Sequence, residues 1–327
     1  MIVAITGASG YVGVNLARIL VDAGHTVVAL DRVRSPLLDR SVDWRNVDIL
    51  DSGAVRSALA GVELVYHLAA RITLRQEDPL AWQINTEGVR VVAEAALACG
   101  VRRMVHVSSM ASFDLSRCNG CLSEGSPRVS SVDAPVYGRS KLAGETQFLQ
   151  LVDGGLDGVV CYPTTLFGPL DHINALSRIN AVLLESARGN IPALIAGGLD
   201  LVDVRDIATG IFLAGQQGLT GERYFLGGHF TEMLDAFRLA ANLVGRSGPR
   251  VTIPMGLVRA IAPLVTRFSR QEEHPLSKYA LDTVELSPSV DRTIAGRDLG
   301  YAPRPHEETM RDLIAYYVQE NAFMAPV

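Results

Sequence analysis

The chain has 327 residues, 48% of them apolar and 20% charged, with a formal net charge of −5. That size suits one or two domains around a large core, and the mild acidity, with no long basic run, excludes a nucleic-acid footprint. No apolar run approaches the ~18 residues of a membrane span.

The first strand begins at once, which leaves no room for a signal peptide. The four cysteines are too few for a disulfide scaffold, so a reducing cytoplasm is the expected setting and a small molecule the expected partner.

The opening stretch is Met1-Ile-Val-Ala-Ile-Thr-Gly-Ala-Ser-Gly-Tyr-Val-Gly13. An apolar run, Ile2 to Ile5, reads as one buried strand. Gly7, Gly10 and Gly13 follow at intervals of three, and Val14, Leu16, Ala17, Leu20 and Val21 continue with helical spacing. Strand, glycine turn and helix form the context of a dinucleotide site: the glycines allow a tight turn, close approach to a pyrophosphate and helix–strand packing. The new helix presents free N–H groups to the phosphates.

His25-Thr-Val-Val-Ala-Leu-Asp31 reads as a second strand ending in a carboxylate. Asp31 lies near the spacing of the acid that holds the adenosine ribose. That favours NAD, while the guanidinium of Arg32 beside it leaves NADP open.

Further strands are expected at Asp43 to Val47, Leu64 to Leu68, Arg103 to Val107 and Gly158 to Tyr162. Helices are expected at about 51–59, 79–99 and 136–151, and a loop from Met110 to Pro135. Repeated βα units of this kind predict a doubly wound parallel α/β sheet, a Rossmann domain over residues 1–165. Beyond Pro163, Gly and Pro punctuate a smaller substrate-binding lobe, residues 166–327, from which the strand near 199–204 is expected to return to the main sheet. Ile253 to Phe268 reads as an apolar, partly helical stretch, either a lid or core. Cys118-Asn-Gly-Cys121 is a single pair where a zinc site needs about four ligands, so it reads as a solvated loop and no metal is expected.

Tyr137-Gly-Arg-Ser-Lys141 carries the chemistry. Positions i and i+4 share a helix face, so the phenol of Tyr137 meets the ammonium of Lys141, and the positive charge favours phenolate. Ser109 stands at the end of the fifth strand, where ligands of such sheets bind, with a hydroxyl to offer a substrate carbonyl.

Together the glycine stretch, Asp31, His67-Leu-Ala-Ala70, the Ser108-Ser109 pair, Tyr137 and Lys141 resemble the extended short-chain dehydrogenase/reductases, the NAD-dependent epimerase/dehydratase family. The resemblance extends to Gly168-Pro169 and to the closing Leu299-Gly-Tyr-Ala-Pro-Arg-Pro305. It implies that Tyr137 moves the proton, that Lys141 also holds the nicotinamide ribose, and that Ser109 orients the substrate oxygen, with Ser108 nearer the cofactor. Asp48 and Ile49 match adenine-side contacts, and Leu68, Ala69 and Ala70 the loop under the cofactor. Tyr11 and Val12 fall in the phosphate loop. Pro163 is expected on the cofactor and Thr165 on the substrate. The resemblance further implies a homodimer built from helices 79–99 and 136–151.

Dehydratases of this family place Asp-Glu after the catalytic hydroxyl residue; Met110-Ala111 stand here, which argues against dehydration. Tyr162 replaces an arginine common in nucleotide-sugar enzymes, which removes one fork expected to meet a diphosphate. The segment Tyr224-Phe-Leu-Gly-Gly228 is similar to the dihydroflavonol-reductase, 3β-hydroxysteroid-dehydrogenase and hopanoid-associated sugar-epimerase-like branch. The leading expectation is an oxidoreductase acting on a ketone or secondary alcohol of a mostly apolar substrate. A nucleotide-sugar epimerase with tightly held NAD and a non-catalytic NAD(P)-binding protein stand as alternatives.

Overall fold

The computed structural model describes residues 1–130, 134–267, 276 and 278–323. The first half alternates strand and helix: β1 (Ile2–Thr6), α1 (Tyr11–Asp22), β2 (Thr26–Asp31), β3 (Asp43–Asn46), α2 (Ser52–Ala58), β4 (Leu64–His67), α3 (Pro79–Ala98) and β5 (Arg103–Val107). Short turns and β6 (Cys121–Leu122) lead to α4 (Val136–Asp153) and β7 (Gly158–Pro163). Then come β8 (Thr165–Phe167), α5 (Arg178–Ala187), β9 (Ala193–Ile195), β10 (Gly198–Asp203), α6 (Val204–Gln217), β11 (Arg223–Leu226), β12 (His229–Glu232) and α7 (Met233–Asn242). The chain closes with β13 (Val251–Ile253), α8 (Met255–Arg267), α9 (Lys278–Glu285), β14 (Ser289–Val290), α10 (Thr293–Leu299) and α11 (His306–Gln319).

Among the described residues, seven strands form one parallel sheet in the order β3-β2-β1-β4-β5-β7-β11. Successive residues of a strand face opposite sides. Ala4, Val28, Leu30 and Val65 therefore pack with residues of α2, α3 and α4. Val3, Ile5, Val27 and Ala29 pack with α1 and α6 on the other face. Covering both faces demands strands that are apolar throughout, which is why they read as continuous runs. The strand order reverses between β1 and β4, and a crevice opens beyond the carboxyl ends of these strands, where such sheets bind ligands.

Two close approaches set the position of α4. A Cβ at Gly144 would lie 2.0 Å from the Asn85 carbonyl of α3, and one at Gly138 would lie 2.3 Å from the Ala111 carbonyl. Only hydrogen at these positions lets α4 sit against α3 and against the turn that follows β5. Tyr137 is thereby carried to the same crevice as Ser109.

The expectation that the strand near 199–204 rejoins the main sheet is corrected. β10 pairs instead with β8 and β12 in a separate three-stranded sheet. The strand that returns to the main sheet is β11, beside β7. Polarity explains the choice. β11 brings Tyr224, Phe225 and Leu226, all fully buried, whereas β10 carries Asp200 and Asp203, which need polar partners. Asp200 accepts from Thr164 Oγ1 at 2.5 Å and the Gly228 amide at 2.7 Å, and Asp203 pairs with Arg205 at 2.6 Å. A second core, with Phe167, Leu183, Phe237, Leu313 and Tyr317, holds this smaller lobe together.

One other stretch differs from expectation. The Cys118–Cys121 segment is solvated only in part: Asn119, Gly120 and Cys121 are exposed, but Cys118 is buried in the main core and β6 pairs with β14. The apolar stretch from Ile253 lies outside the main core. Met255, Val258 and Ala262 of α8 form a small satellite core with Leu281 of α9. Phe268, its expected end, lies outside the described residues.

Candidate active site

A cleft of about 740 Å³ occupies the crevice. β1 ends at Thr6, and the chain turns through Gly7 at φ 71°. A Cβ on Gly7 would lie 2.7 Å from the Ala69 amide nitrogen, and one on Gly13 would lie 2.4 Å from the Gly7 carbonyl. The turn thus folds tightly on itself and under the loop after β4. Helix α1 starts at Tyr11 with Gly10 as its cap and no side-chain cap bond, so the first amides of the helix face the cleft bare. This is the arrangement that receives a pyrophosphate, and the residues present fit a bound dinucleotide.

Asp31, at the end of β2, accepts from the Ser9 amide at 3.0 Å and from the Arg32 amide at 2.7 Å. Its carboxylate is held beside the glycine turn, and Arg32 borders the same end of the cleft. Asp48 and Ile49, after β3, line this end too; Asp48 accepts from the Leu50 amide at 3.0 Å. Leu68, Ala69 and Ala70 form the floor next to Gly7, and Val12, Gly13 and Pro163 border the cleft.

Tyr11 does more than occupy the phosphate loop. Its hydroxyl donates to the Gly168 carbonyl at 2.6 Å and accepts from Asn180 Nδ2 at 3.2 Å, which ties α1 to the smaller lobe. Burial, then the nearby carboxylate of Asp171, hold its pKa well above the usual tyrosine value, so it stays a donor.

At the other end, Ser109 Oγ accepts from the Ala111 amide at 3.2 Å, capping the turn after β5. Accepting leaves its own proton to donate. Tyr137 is half-buried on the cleft wall. Lys141, 2% exposed, donates from Nζ to the Val107 carbonyl at 2.7 Å. Burial lowers its pKa from the ordinary 10.5 to about 8, against the opposing pull of Glu145. Beneath it His67 and His106 stack at 5.5 Å. Burial, reinforced by Lys141, keeps both well below the usual histidine range, His67 at about 3, so they are neutral. His67 Nδ1 meets Thr6 Oγ1 at 2.7 Å.

Ser108 borders the cleft, and its hydroxyl donates to Glu145 at 2.8 Å. One sequence inference needs correction. Tyr162 is fully buried and donates to Glu145 at 2.6 Å. An arginine at this position would reach the interior, so its replacement says nothing about the phosphates of a substrate.

Thr165 lines the cleft as expected. So do residues that no motif marked: Met110, Leu115, Leu176, Arg178 and Thr283. They come from three segments, the turn after β5, the entry to α5 and α9, which only the tertiary fold brings together. Glu145 did leave a signal, since it stands four residues after Lys141 on the same helical face.

This sheet, glycine turn and Ser–Tyr–Lys arrangement define the extended short-chain dehydrogenase/reductase class. The sequence profile of the NAD dependent epimerase/dehydratase family matches residues 3–227, and the chain belongs to that family. It is 30% identical to the sterol demethylase protein B of Methylococcus capsulatus, over 96% of this chain and 97% of that protein. It is 28% identical to a putative dihydroflavonol 4-reductase of Synechocystis, over 96% and 93%. Among solved structures it is similar to gox2253, at 31% identity and a TM-score of 0.83, covering 98% of this chain and 99% of that one. The fold is shared with the UDP-glucose 4-epimerase of Thermotoga maritima, at 19% identity and a TM-score of 0.79, over 98% and 100%. No helix among the described residues is long and apolar enough to cross a membrane.

The depressed pKa of Lys141 has a sign that can be checked. Between pH 8 and 10.5 the unfolded chain keeps this proton and the folded chain gives it up, so unfolding free energy rises with pH in that window. Comparing wild type with Lys141→Met by urea titration should show wild type gaining up to about 3 kcal/mol relative to the variant from pH 8 to 10.5. A flat difference would mean that Lys141 titrates normally.

Proposed function

We propose that the protein is an NAD(P)-dependent oxidoreductase that transfers hydride between nicotinamide and a ketone or secondary alcohol on a mostly apolar substrate. The observation that carries this reading is the meeting of Ser109, Tyr137 and buried Lys141 at one end of a cleft whose other walls there include Met110, Leu115, Leu166 and Leu176. Relatives named as acting on sterols and on dihydroflavonol support it, as does a 27% identical 3-beta-hydroxysteroid dehydrogenase of Mycolicibacterium neoaurum.

Bound nicotinamide supplies the hydride, or accepts it in the reverse direction. Gly7, Gly10 and Gly13 would hold its pyrophosphate and Asp31 its adenosine ribose. Ser109 donates a hydrogen bond to the substrate oxygen and places it against the Tyr137 hydroxyl. Tyr137 gives a proton to that oxygen in reduction and takes it back in oxidation. Lys141 lends positive charge beside the phenol, which eases the loss of its proton. Asp31 favours NAD, because its carboxylate accepts from ribose hydroxyls and repels a 2′-phosphate.

A second reading, nucleotide-sugar epimerisation, is favoured by Arg178, which borders the cleft on the smaller lobe where a diphosphate could be met. Turnover tests on sterol, β-keto acyl and UDP-sugar panels, read by nicotinamide absorbance and by product analysis, separate the two. An exchangeable cofactor with net oxidation or reduction supports the dehydrogenase; a retained cofactor with inversion of a sugar carbon overturns it.

We further propose a homodimer through α3 and α4. Trp82 and Leu97 leave large apolar surfaces on α3 exposed, Trp82 at 42%, and a paired copy would cover them. Light scattering at micromolar concentration should give twice the chain mass, and a strictly monomeric mass would count against it.

Tyr137→Phe should lower turnover by at least about 10²–10⁴-fold and leave cofactor affinity nearly unchanged, because the ring stays and only the proton is lost. Near-normal turnover would remove Tyr137 from the mechanism. Asp31→Ala should weaken NAD and improve the relative binding of NADP in titration calorimetry. Tenfold tighter NADP binding by the wild type would instead make Arg32 the deciding residue.

A further inference from the structure

Behind the catalytic helix lies a buried polar cluster that the proposed reaction does not use. Glu145, 2% exposed, accepts three hydrogen bonds: from Ser108 Oγ at 2.8 Å, from Tyr162 Oη at 2.6 Å and from Arg128 Nη2 at 2.5 Å. Arg128 also donates to Tyr162 Oη at 3.1 Å, and its guanidinium lies 3.9 Å from the centre of the Phe113 ring. A carboxylate satisfied this fully is fixed in place.

Its position gives the cluster meaning. Tyr137, Lys141 and Glu145 follow one another at steps of four along α4, so they share one face. The helix grips the end of β5 through two consecutive residues. Lys141 donates to the Val107 carbonyl, and Glu145 accepts from the Ser108 hydroxyl. The next residue is Ser109. Any slip of α4 along β5 would part Ser109 from Tyr137, and the Ser108–Glu145 bond opposes that slip.

Glu145 also faces Lys141 electrostatically. The titratable and charged groups around the ammonium are His67 on β4 and His106 on β5, both neutral, and Tyr137 and Glu145 on α4. Among them Glu145 is the group that favours the charged ammonium. Arg128, on the far side of Glu145, belongs to the segment after β5 and is partly open to solvent.

We infer that Glu145 is a positioning residue for the Ser109–Tyr137–Lys141 site, clamping the end of β5 to α4 and keeping the Lys141 ammonium charged in its buried setting. The inference rests on the function proposed above. It assigns Glu145 no contact with substrate or cofactor.

The test is Glu145→Gln, which keeps the shape and removes the charge. The alkaline limb of its pH–rate profile should move at least one pH unit toward acid, while the KM of the substrate changes less than threefold. Glu145→Asp, which restores the charge, should bring the limb back toward the wild-type position. Tyr162→Phe is the structural control, since it removes a hydrogen bond without removing charge; it should lower the melting temperature and leave the limb in place. If Glu145→Gln does not fold, Arg128→Met/Glu145→Gln avoids the unpaired guanidinium and should show the same acid-ward shift.

A readout independent of turnover separates this inference from the function. In Glu145→Gln, or in the double variant, the lower edge of the pH window in which stability rises should fall below about 8, the value for Lys141 in the wild-type chain. A shifted window with no turnover on any panel would sink the proposed reaction and keep the clamp. An unshifted window and limb in a folded charge-free variant would overturn the role of Glu145.

Discussion

The buried ammonium of Lys141 is the constraint on which the site depends. A charge taken out of water inside a parallel α/β fold is unfavourable unless partners surround it. Three features answer this. The Val107 carbonyl, at the end of β5, accepts from Nζ. The imidazoles of His67 and His106 stay uncharged beneath it, so they add no repulsion. Glu145 supplies the opposing sign from the next turn of α4. Each requires α4 to run close to β5 and α3, and that closeness is possible only because Gly138 and Gly144 carry no Cβ. Stability is given up at this point to keep an ammonium buried at the wall of the cleft.

The cleft is asymmetric in origin. Its dinucleotide half is made by short-range features of the first strands: a turn, a strand end and the loop after β4. Its other half is assembled from the turn after β5, the segment leading into α5, and Thr283 of α9. The first half can be recognised by spacing alone, because each feature obeys a local rule. The second half follows from how the smaller lobe packs, and local rules say little about it.

That division accounts for what could be read from the chain and what could not. The glycine turn and the Tyr137–Lys141 pair were legible because each is a spacing of a few residues in a continuous stretch, and Asp31 because it ends the strand that follows at a set distance. The strand at 198–203 was misassigned because a short apolar run does not disclose its partner. Two aspartates decided the matter, and their significance appears only with Thr164, Gly228 and Arg205 in place. Tyr162 misled for a related reason. Strand alternation leaves open which face is which, and the face of Tyr162 looks toward Glu145 rather than the cleft. Ser108 and Ser109 are neighbours of the same type and both border the cleft, yet the hydroxyl of Ser108 turns to Glu145 while that of Ser109 caps the turn after β5.

The strap around the glycine turn carries a last consequence. Tyr11 reaches Gly168, Asn180 links Tyr11 to Asp171, and Ser35 holds both Ser9 and His172. The turn is therefore moored on two sides by groups that no phosphate needs to recruit. A flexible glycine loop would have to lose its freedom when a ligand arrived, and that loss would be subtracted from affinity. Here the ordering happens once, when the chain folds, so the cradle meets its ligand already rigid.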